Sequence, residues 1–480
     1  MKAVLYNFAY ALALLAGLMC ASGLTAALLF ETQEGVGALL IASGLWGYAA
    51  GLILIAFRGT DRRLRARDRF VLAVMIFSFL PLLGAVPIAM IVESANLADA
   101  YFEAVSAMTT TGWSTLPVEE QLPVALTLWR SVLQWLGGLL TLLTFVFILA
   151  PARVGGLPDS FAGRIEHRPT AQGDRVLLAV RDVAPIYIGA SFLCLGLLLV
   201  QQTDLIDAIT MSSAALSTGG FTARSEDMAG FPLGIMWTLT LFTLIGAMSI
   251  IWLRQVVRGR RNVMQHRESF FVIAVVLIVG LALGAFLTDA AGGNTLINVS
   301  EGIAIVASVV STGGMEVRAG GQEVLPYGLL LGLVLVGGAS FSTAGGVKLF
   351  RIGAMVTQSL RELTRLIYPH AIRPARFGTQ SYNIQVMKAV WSMLFATSLV
   401  VLFGSLVFGL AGVPPDQALL GGVASASNFA ASITLDDIGT PLNFAVLPDL
   451  TKLAMAALMV AGRLEVLAVL AVLRPTTLVR

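Results

Sequence analysis

A helix-forming stretch that begins at Asp207 and stops at Ser217-Thr218-Gly219-Gly220-Phe221 has two counterparts elsewhere in the chain. Ser311-Thr312-Gly313-Gly314 follows Ser300-Glu301-Gly302-Ile303, and Thr109-Thr110-Thr111-Gly112 follows Asp99-Ala100-Tyr101-Phe102-Glu103. A single Ser-Thr-Gly-Gly is any exposed turn. Three at intervals of about a hundred residues are an internal repeat, and a repeat sets the architecture before any one element is placed.

What lies between the repeats is apolar. Of 480 residues 57% are hydrophobic and 12% charged, against about a quarter charged in a soluble domain. The apolar residues come in blocks long enough to cross a hydrocarbon layer, which takes roughly 20 residues each. The chain reads as an all-α polytopic membrane protein. The apolar run after Met1 and Lys2 is too long for a signal peptide, and Met19 before Cys20 does not suit a lipoprotein cleavage site, so it reads as a retained helix. Cys20 and Cys194 lie inside apolar blocks and read as packing residues. His167, His266 and His370 are too dispersed for a metal site. No nucleophile–base pair or phosphate-binding loop stands out, so an enzyme is not expected.

In chain order, two helices are expected at 3–30 and 35–57, followed by the basic run Arg58 to Arg69. That run lacks aromatics and lies between helices, so it predicts a cytoplasmic membrane-edge loop and no nucleic-acid partner. Four like units follow: helix 70–92, insert Asp99–Gly112, helix 122–150; helix 177–200, insert Asp207–Gly220, helix 232–256; helix 269–288, insert Ser300–Gly314, broken helix 325–360; helix 386–411, a stretch from Asp416, helix 447–473. The domains read as 1–69 (two N-terminal helices and basic loop), 70–160, 161–262, 263–372 and 373–480 (repeats one to four).

Charge orients the set. Basic residues crowd the loops after the second, fourth, sixth and eighth helices and the two termini. They include Lys2, the run from Arg58, Arg153, Arg164, Arg168, Arg175, Arg181, Arg254, Arg258, Arg260, Arg261 and Arg267, then Lys348, Lys388, Arg474 and Arg480. The other side carries Arg224, Arg318 and Lys452 among carboxylates such as Glu93, Glu119, Glu120, Asp436 and Asp437. Ten spanning helices with both termini cytoplasmic satisfy this asymmetry. All four inserts then lie on the outer face. Too short to span, they are expected to be re-entrant, and backbone at that depth is tolerated only where protein buries it or water lines it. Four inserts most naturally surround one axis.

The residues that open the inserts, Asp99, Asp207, Ser300 and Asp416, suit helix N-caps. The negative helix ends then face inward, which favours a cation. The Ser, Thr and Gly residues that follow allow an extended, partly left-handed backbone whose carbonyls can turn to the axis, and carbonyl rings that replace a hydration shell are how potassium filters work.

With these features in hand, the whole chain resembles the TrkH/KtrB family of potassium uptake proteins, in the superfamily of K⁺ transporters. The resemblance rests on Tyr101 to Gly112, Trp129 to Gly138, the Ser-Thr-Gly-Gly inserts, Gly337 to Lys348, Asn443 to Lys452 and Gly462-Arg463-Leu464-Glu465. It implies four helix–pore loop–helix repeats around one pseudo-fourfold pore, a homodimer, and a cytosolic nucleotide-binding regulatory subunit of the TrkA/KtrA type. The transported ion is K⁺, with no cofactor bound by the chain. Carried across, the filter residues are Thr110, Thr111 and Gly112; Ser217, Thr218 and Gly219; and Ser311, Thr312 and Gly313.

The fourth repeat departs from the pattern. Asn428, Phe429 and Ala430 stand where the family has a glycine third, and Gly439 is an alternative further on. An alanine held in the left-handed region costs about 1–2 kcal/mol, so either its carbonyl is turned differently or packing absorbs strain. Two further places are singled out. Gly337, Gly338, Ser340, Thr343, Gly345, Gly346 and Lys348 interrupt a helix of over thirty residues; they form a close-packed kink or, as the resemblance implies, a mobile intramembrane gate anchored by Lys348. Arg463 lies inside the helical stretch Met455–Leu473, with Glu465 off its face. It reads as an interhelical or snorkelling arginine, or by the resemblance as an electrostatic barrier below the filter. Arg130 reads as a structural residue reaching the interface, and Trp46, Trp129, Trp135, Trp237, Trp252 and Trp391 as interface belts.

The function expected is regulated potassium uptake across a bacterial inner membrane. The alternatives are Na⁺ or non-selective monovalent cation permeation, suggested by Ala430, and a non-conducting ion sensor embedded in the lipid bilayer.

Overall fold

The structure is a computed structural model that describes residues 1–30, 32–59, 64–116, 122–157, 172–223, 232–259, 267–291, 294–315, 320–368, 376–377, 380–381, 384–435 and 440–473. Of the charges invoked above, Arg164, Arg168, Arg224, Arg260, Arg261, Arg318, Glu119, Glu120, Asp436, Asp437, Arg474 and Arg480 lie outside the described residues, as do the three histidines and Gly439. Helices α1 (Lys2–Leu29) and α2 (Val36–Ala56) form a hairpin.

Four units follow. The first is α3 (Ala66–Ile91), α4 (Leu97–Met108) and α5 (Val124–Thr144), the last running on through a π-helical turn, Phe145–Leu149. The second is α6 (Gln172–Val200), α7 (Leu205–Ser217), α8 (Leu233–Ala247) and α9 (Ile250–Val257). The third is α10 (Arg267–Ala291), α11 (Thr295–Val310), α12 (Tyr327–Val336) and α13 (Leu349–Ile367). The fourth is α14 (Ile384–Leu410), α15 (Pro415–Ser427), α16 (Asp449–Arg463) and α17 (Val466–Leu473). This is an all-α polytopic membrane protein with four helix–pore loop–helix repeats around one pseudo-fourfold centre.

The second helices start on a common signal. Pro123, Pro232, Pro326 and Pro448 each occupy the position just before the first helical residue, where a missing N–H and a preset φ do no harm. The short helices start earlier than expected. Asn96 caps α4, accepting from Asp99 N (2.9 Å) while Asp99 accepts from Asn96 N (3.1 Å), so Asp99 is the third residue of a capping box rather than the cap. Asp207 and Asp416 also lie inside first turns, and Ser300 lies deeper inside α11, which Asn294 caps. The carboxylates still sit at the positive ends of their helices.

Seven helices among the described residues carry unbroken apolar spans of 21–28 residues. Two more spans are bent pairs of helices, which makes up to nine among the described residues against the ten expected. Beyond the expected break in the third repeat, α8 and α9 meet at 110° and α16 and α17 at 106°, where 232–256 and 447–473 were expected to be continuous. Met248-Ser249 and Leu464-Glu465 carry no helix breaker, so hydropathy reads straight through both corners.

The second helices press on the ends of the short ones. A Cβ at Gly137 of α5 would lie 2.0 Å from Met108 O, and one at Gly462 of α16 would lie 2.5 Å from Ala426 O. The ring of repeats closes between the fourth and first units, where Lys452 Nζ meets Asp99 Oδ1 at 2.5 Å and Asn96 donates to Asp449 Oδ1 at 3.1 Å. The tryptophans divide. Trp237 and Trp391 are exposed as a belt residue should be, but Trp129 is fully buried and donates to Gly84 O.

Candidate ion pathway

Each short helix runs into a strand-like segment without regular secondary structure, and one backbone feature aligns all four. Thr110, Thr218, Thr312 and Asn428 have φ of 56°, 53°, 56° and 51°. A β-branched residue in the left-handed region is an outlier, and such positions cost about 1–3 kcal/mol each. The same left-handed turn recurs in all four repeats, and in the three that carry threonine the strain is held by the surrounding fold. It also corrects the expected register. Counting on from the left-handed residue, Gly112 corresponds to Gly220, Gly314 and Ala430, while Gly219 and Gly313 correspond to Thr111 and Phe429. Ser217 and Ser311 end helices one step earlier, beside Thr109 and Ser427. The expected strain at Ala430 is not there: Ala430 has an ordinary φ, and Asn428 takes the left-handed place, which asparagine tolerates.

The four residues of the Gly112 level converge. A Cβ at Gly314 would lie 2.4 Å from Ala430 Cβ, one at Gly220 3.0 Å and one at Gly112 3.1 Å. The Ala430 methyl therefore fills the middle of a ring whose other members are glycines. Phe429 points away and is fully buried in the core. Asn428 Nδ2 donates to Thr111 Oγ1 (3.1 Å) and Met459 O (2.9 Å), tying the fourth strand to the first.

Side chains missed in the sequence hold these strands from outside. Gln134 of α5 donates to Phe221 O (3.3 Å) and accepts from Phe221 N (2.9 Å). Gln322 donates to Ala430 O (3.0 Å) and accepts from Ser432 N (3.2 Å), and Trp113 Nε1 donates to Ala431 O (3.0 Å). Glu103, fully buried, accepts from Thr115 N (3.0 Å) and pairs with Arg130 at 2.6 Å. Arg130 does not reach the interface: its guanidinium lies 4.1 Å from the centre of the Phe221 ring. The signal available in the sequence was a lone polar residue, Gln134 or Glu103, in otherwise apolar helix.

Directly beneath the strands lies the segment 337–348. Thr343 Oγ1 is within hydrogen-bonding distance of Leu216 O (3.0 Å), Gly246 O (2.9 Å) and Thr218 Oγ1 (3.3 Å), and Gly345 N donates to Thr312 Oγ1 (2.7 Å). Gly345 packs so closely that a Cβ would lie 1.6 Å from Ser427 O. The segment thus touches the second, third and fourth loops at the left-handed residue or one step before it. Gly337 and Gly346 use positive φ to turn it, at 66° and 79°. Gly338 faces Ala247 O, and the Ser340 N–H and hydroxyl bind the buried Glu268 carboxylate at 3.1 and 3.3 Å. Lys348, 2% exposed, donates to Ala344 O and lies 5.1 Å from the Phe145 ring centre.

Arg463 is the last residue of α16, not mid-helix. Its Nε donates to Thr141 Oγ1 of the first repeat (2.8 Å), and among the described residues its Nη2 has no hydrogen-bond partner. It does not pair with Glu465. That carboxylate, at φ 60° in the corner between α16 and α17, accepts two bonds from Arg351 at 2.6 and 2.7 Å. Arg351 also donates to Gly155 O and Val347 O, both at 2.8 Å. A cavity of about 10 Å³, room for one water, lies between Lys348, Asn428, Arg463 and Glu465. Chemically, the arrangement offers backbone and hydroxyl oxygens to a hard cation, a hydrogen-bonded segment under them, and two buried cations beside that segment.

A family model described as a cation transport protein, TrkH, matches residues 46–284 and 324–476. The Trk system potassium uptake protein TrkH of Halomonas elongata is 29% identical over 464 residues, spanning 91% of this chain and 93% of its own. The protein of the same name in Escherichia coli K12 is 28% identical over 457 residues, 93% and 91% of the two chains. The crystal structure of the potassium transporter TrkH from Vibrio parahaemolyticus superposes with a TM-score of 0.87 over 100% of this chain and 99% of that one, at 24% identity.

Proposed function

The chain belongs to the TrkH family of cation transport proteins, a family of transporters and not of enzymes, and from that premise we propose that it takes up potassium ions through a regulated, channel-like pore. The four loop strands form the selectivity filter: Thr110, Thr111 and Gly112; Ser217, Thr218, Gly219 and Gly220; Ser311, Thr312, Gly313 and Gly314; Asn428, Phe429 and Ala430. One observation carries this reading, the identical left-handed turn at Thr110, Thr218, Thr312 and Asn428 followed by convergence of Gly112, Gly220, Gly314 and Ala430. Four such turns about one centre support a filter in which loop carbonyls line the axis, which is what replacing a hydration shell requires.

The segment 337–348 is the gate, with Gly337, Gly338, Ser340, Thr343, Gly345 and Gly346 as its working residues and Lys348 as its anchor. Arg463 is the electrostatic barrier beside it. The pore sits in a bacterial inner membrane with both termini cytoplasmic, two copies assemble, and a cytosolic nucleotide-binding subunit of the TrkA/KtrA type sets the gate. No bound cofactor is needed. The repeats divide at 70–160, 161–262, 263–372 and 373–480. In support stand the names of the relatives, which are potassium uptake proteins, and the basic residues gathered on one side of the sequence.

The test is ⁸⁶Rb⁺ and ²²Na⁺ influx into proteoliposomes, with and without the regulator. Preferential ⁸⁶Rb⁺ uptake is expected, and absence of both fluxes sinks the pore. The Ala430 methyl inside the glycine ring favours a second reading, Na⁺ or non-selective permeation. Equal fluxes establish that one, and Ala430→Gly then shifts the ratio toward ⁸⁶Rb⁺.

A further inference from the structure

At the level of Gly112, Gly220, Gly314 and Ala430 the four strands differ in one contact. Among the described residues the carbonyls of Gly112, Gly220 and Gly314 accept no hydrogen bond, whereas Ala430 O accepts from Gln322 Nε2 at 3.0 Å. The other end of the same amide accepts from Ser432 N at 3.2 Å. Gln322 therefore bridges the residues on either side of Ala431, as a neighbouring backbone strand would, and Trp113 holds the carbonyl of Ala431 between them.

The amide is itself fixed. Gln322 is 6% exposed and lies within a turn in which Gly320 has φ 64° and Glu323 N donates to Gly320 O at 3.0 Å. A carbonyl bound to a buried donor is held toward that donor, and swinging it fully to the axis breaks the bond and leaves the amide hydrogen unpaired. What Ala430 presents to the centre is its methyl group, 2.4 Å from where a Cβ on Gly314 would stand.

We propose that Gln322 is a specificity-determining positioning residue: it ties the Ala430 carbonyl to the wall of the pore, so that this level of the filter offers three oxygens and a methyl instead of four oxygens. The inference rests on the reading of the four loops as the ion filter. Gln322 touches no ion and acts through Ala430.

The experiment is the ⁸⁶Rb⁺ to ²²Na⁺ influx ratio in proteoliposomes for wild type, Gln322→Leu, Gln322→Glu, Ala430→Gly and the double variant Gln322→Leu/Ala430→Gly. Gln322→Leu removes both bonds. Gln322→Glu keeps the acceptor for Ser432 N, loses the donor to Ala430 O and is nearly isosteric, so it decides the question if the leucine variant does not reach the membrane. Both are expected to raise the ratio about fivefold, the factor that one hydrogen bond of ordinary strength corresponds to. The gain from Ala430→Gly is expected to be larger in the Gln322→Leu background than in wild type, because a freed glycine carbonyl can turn inward; contacting residues are coupled in this way. A merely structural glutamine would lower both fluxes in proportion and leave the ratio unchanged, and that result overturns the proposal. Wild type conducting neither ion overturns the filter reading instead.

Discussion

Replacing Thr343 by valine removes one hydroxyl at nearly constant volume from the place where the segment 337–348 meets the second of the four loops. The side chain is 1% exposed, so water cannot take over its bonds. Gly246 O also accepts from Thr343 N at 3.1 Å and stays paired. Leu216 O does not: it is an end carbonyl of α7, and among the described residues Thr343 Oγ1 is its donor, at 3.0 Å. Leaving a buried acceptor unpaired costs about 1–3 kcal/mol. If the conducting state is one in which the segment has left this site, the cost falls on the closed state alone. The equilibrium then shifts toward open by about 5- to 150-fold. Thr343→Ser keeps the hydroxyl and is expected to stay near wild type. The assay is regulator-independent ⁸⁶Rb⁺ flux, with thermal stability in detergent measured alongside. Unchanged flux with lowered stability would refute the reasoning, because the bond would then hold the fold and not the gate.

Arg351→Met leaves the buried Glu465 without its counter-ion and is expected to destabilise the protein by about 3–5 kcal/mol; Arg351→Met/Glu465→Leu is expected to recover most of this, read as the midpoint of thermal unfolding in detergent. Arg463→Ala removes a buried cation beside the segment. A unit charge 4 Å away at an effective dielectric of about 20 is worth about 4 kcal/mol, so basal ⁸⁶Rb⁺ flux is expected to rise about tenfold or more, while Arg463→Lys keeps it low. Gly345→Ala sets a methyl against Ser427 O where a Cβ has 1.6 Å; the segment is expected to be displaced from the strands, seen as faster proteolysis within 337–348 together with raised basal flux, and unchanged cleavage would contradict the packing.

The repeat was legible because each loop couples an acidic or hydroxyl-bearing short helix to a Ser/Thr-Gly stop, a local pattern that survives without knowledge of neighbours. Its exact register was not. Ser217-Thr218-Gly219-Gly220 holds two glycines, and either can be matched to Gly112 until the left-handed residue is known. The break at 337–348 was legible from its glycines. The corners at Met248-Ser249 and Leu464-Glu465 were not, since their cause lies in other elements. Assuming a continuous helix through Glu465 also hid its role, because a helical wheel assigns it a face that the corner abolishes. Gln322 left almost no signal: a polar residue in a polar connection is unremarkable until its two partners are seen on the fourth strand.

The corner between α8 and α9 and the segment 337–348 explain each other. A broken helix inside the bilayer leaves carbonyls and N–H groups that must find partners in protein. Ala339 N donates to Ala247 O (2.9 Å), Thr343 N donates to Gly246 O (3.1 Å), and Ile250 N donates to Phe341 O (2.9 Å). The groups freed by one break are thus satisfied by the backbone of the other. Neither segment can straighten or withdraw alone without leaving buried backbone groups unpaired, each at about 1–3 kcal/mol. Movement of the segment therefore carries the α8–α9 corner with it, or else must offer those three groups water from an opening pore. In either case the cost is set by hydrogen bonds between repeats, which is why a glycine-rich stretch that is flexible by composition can hold one arrangement.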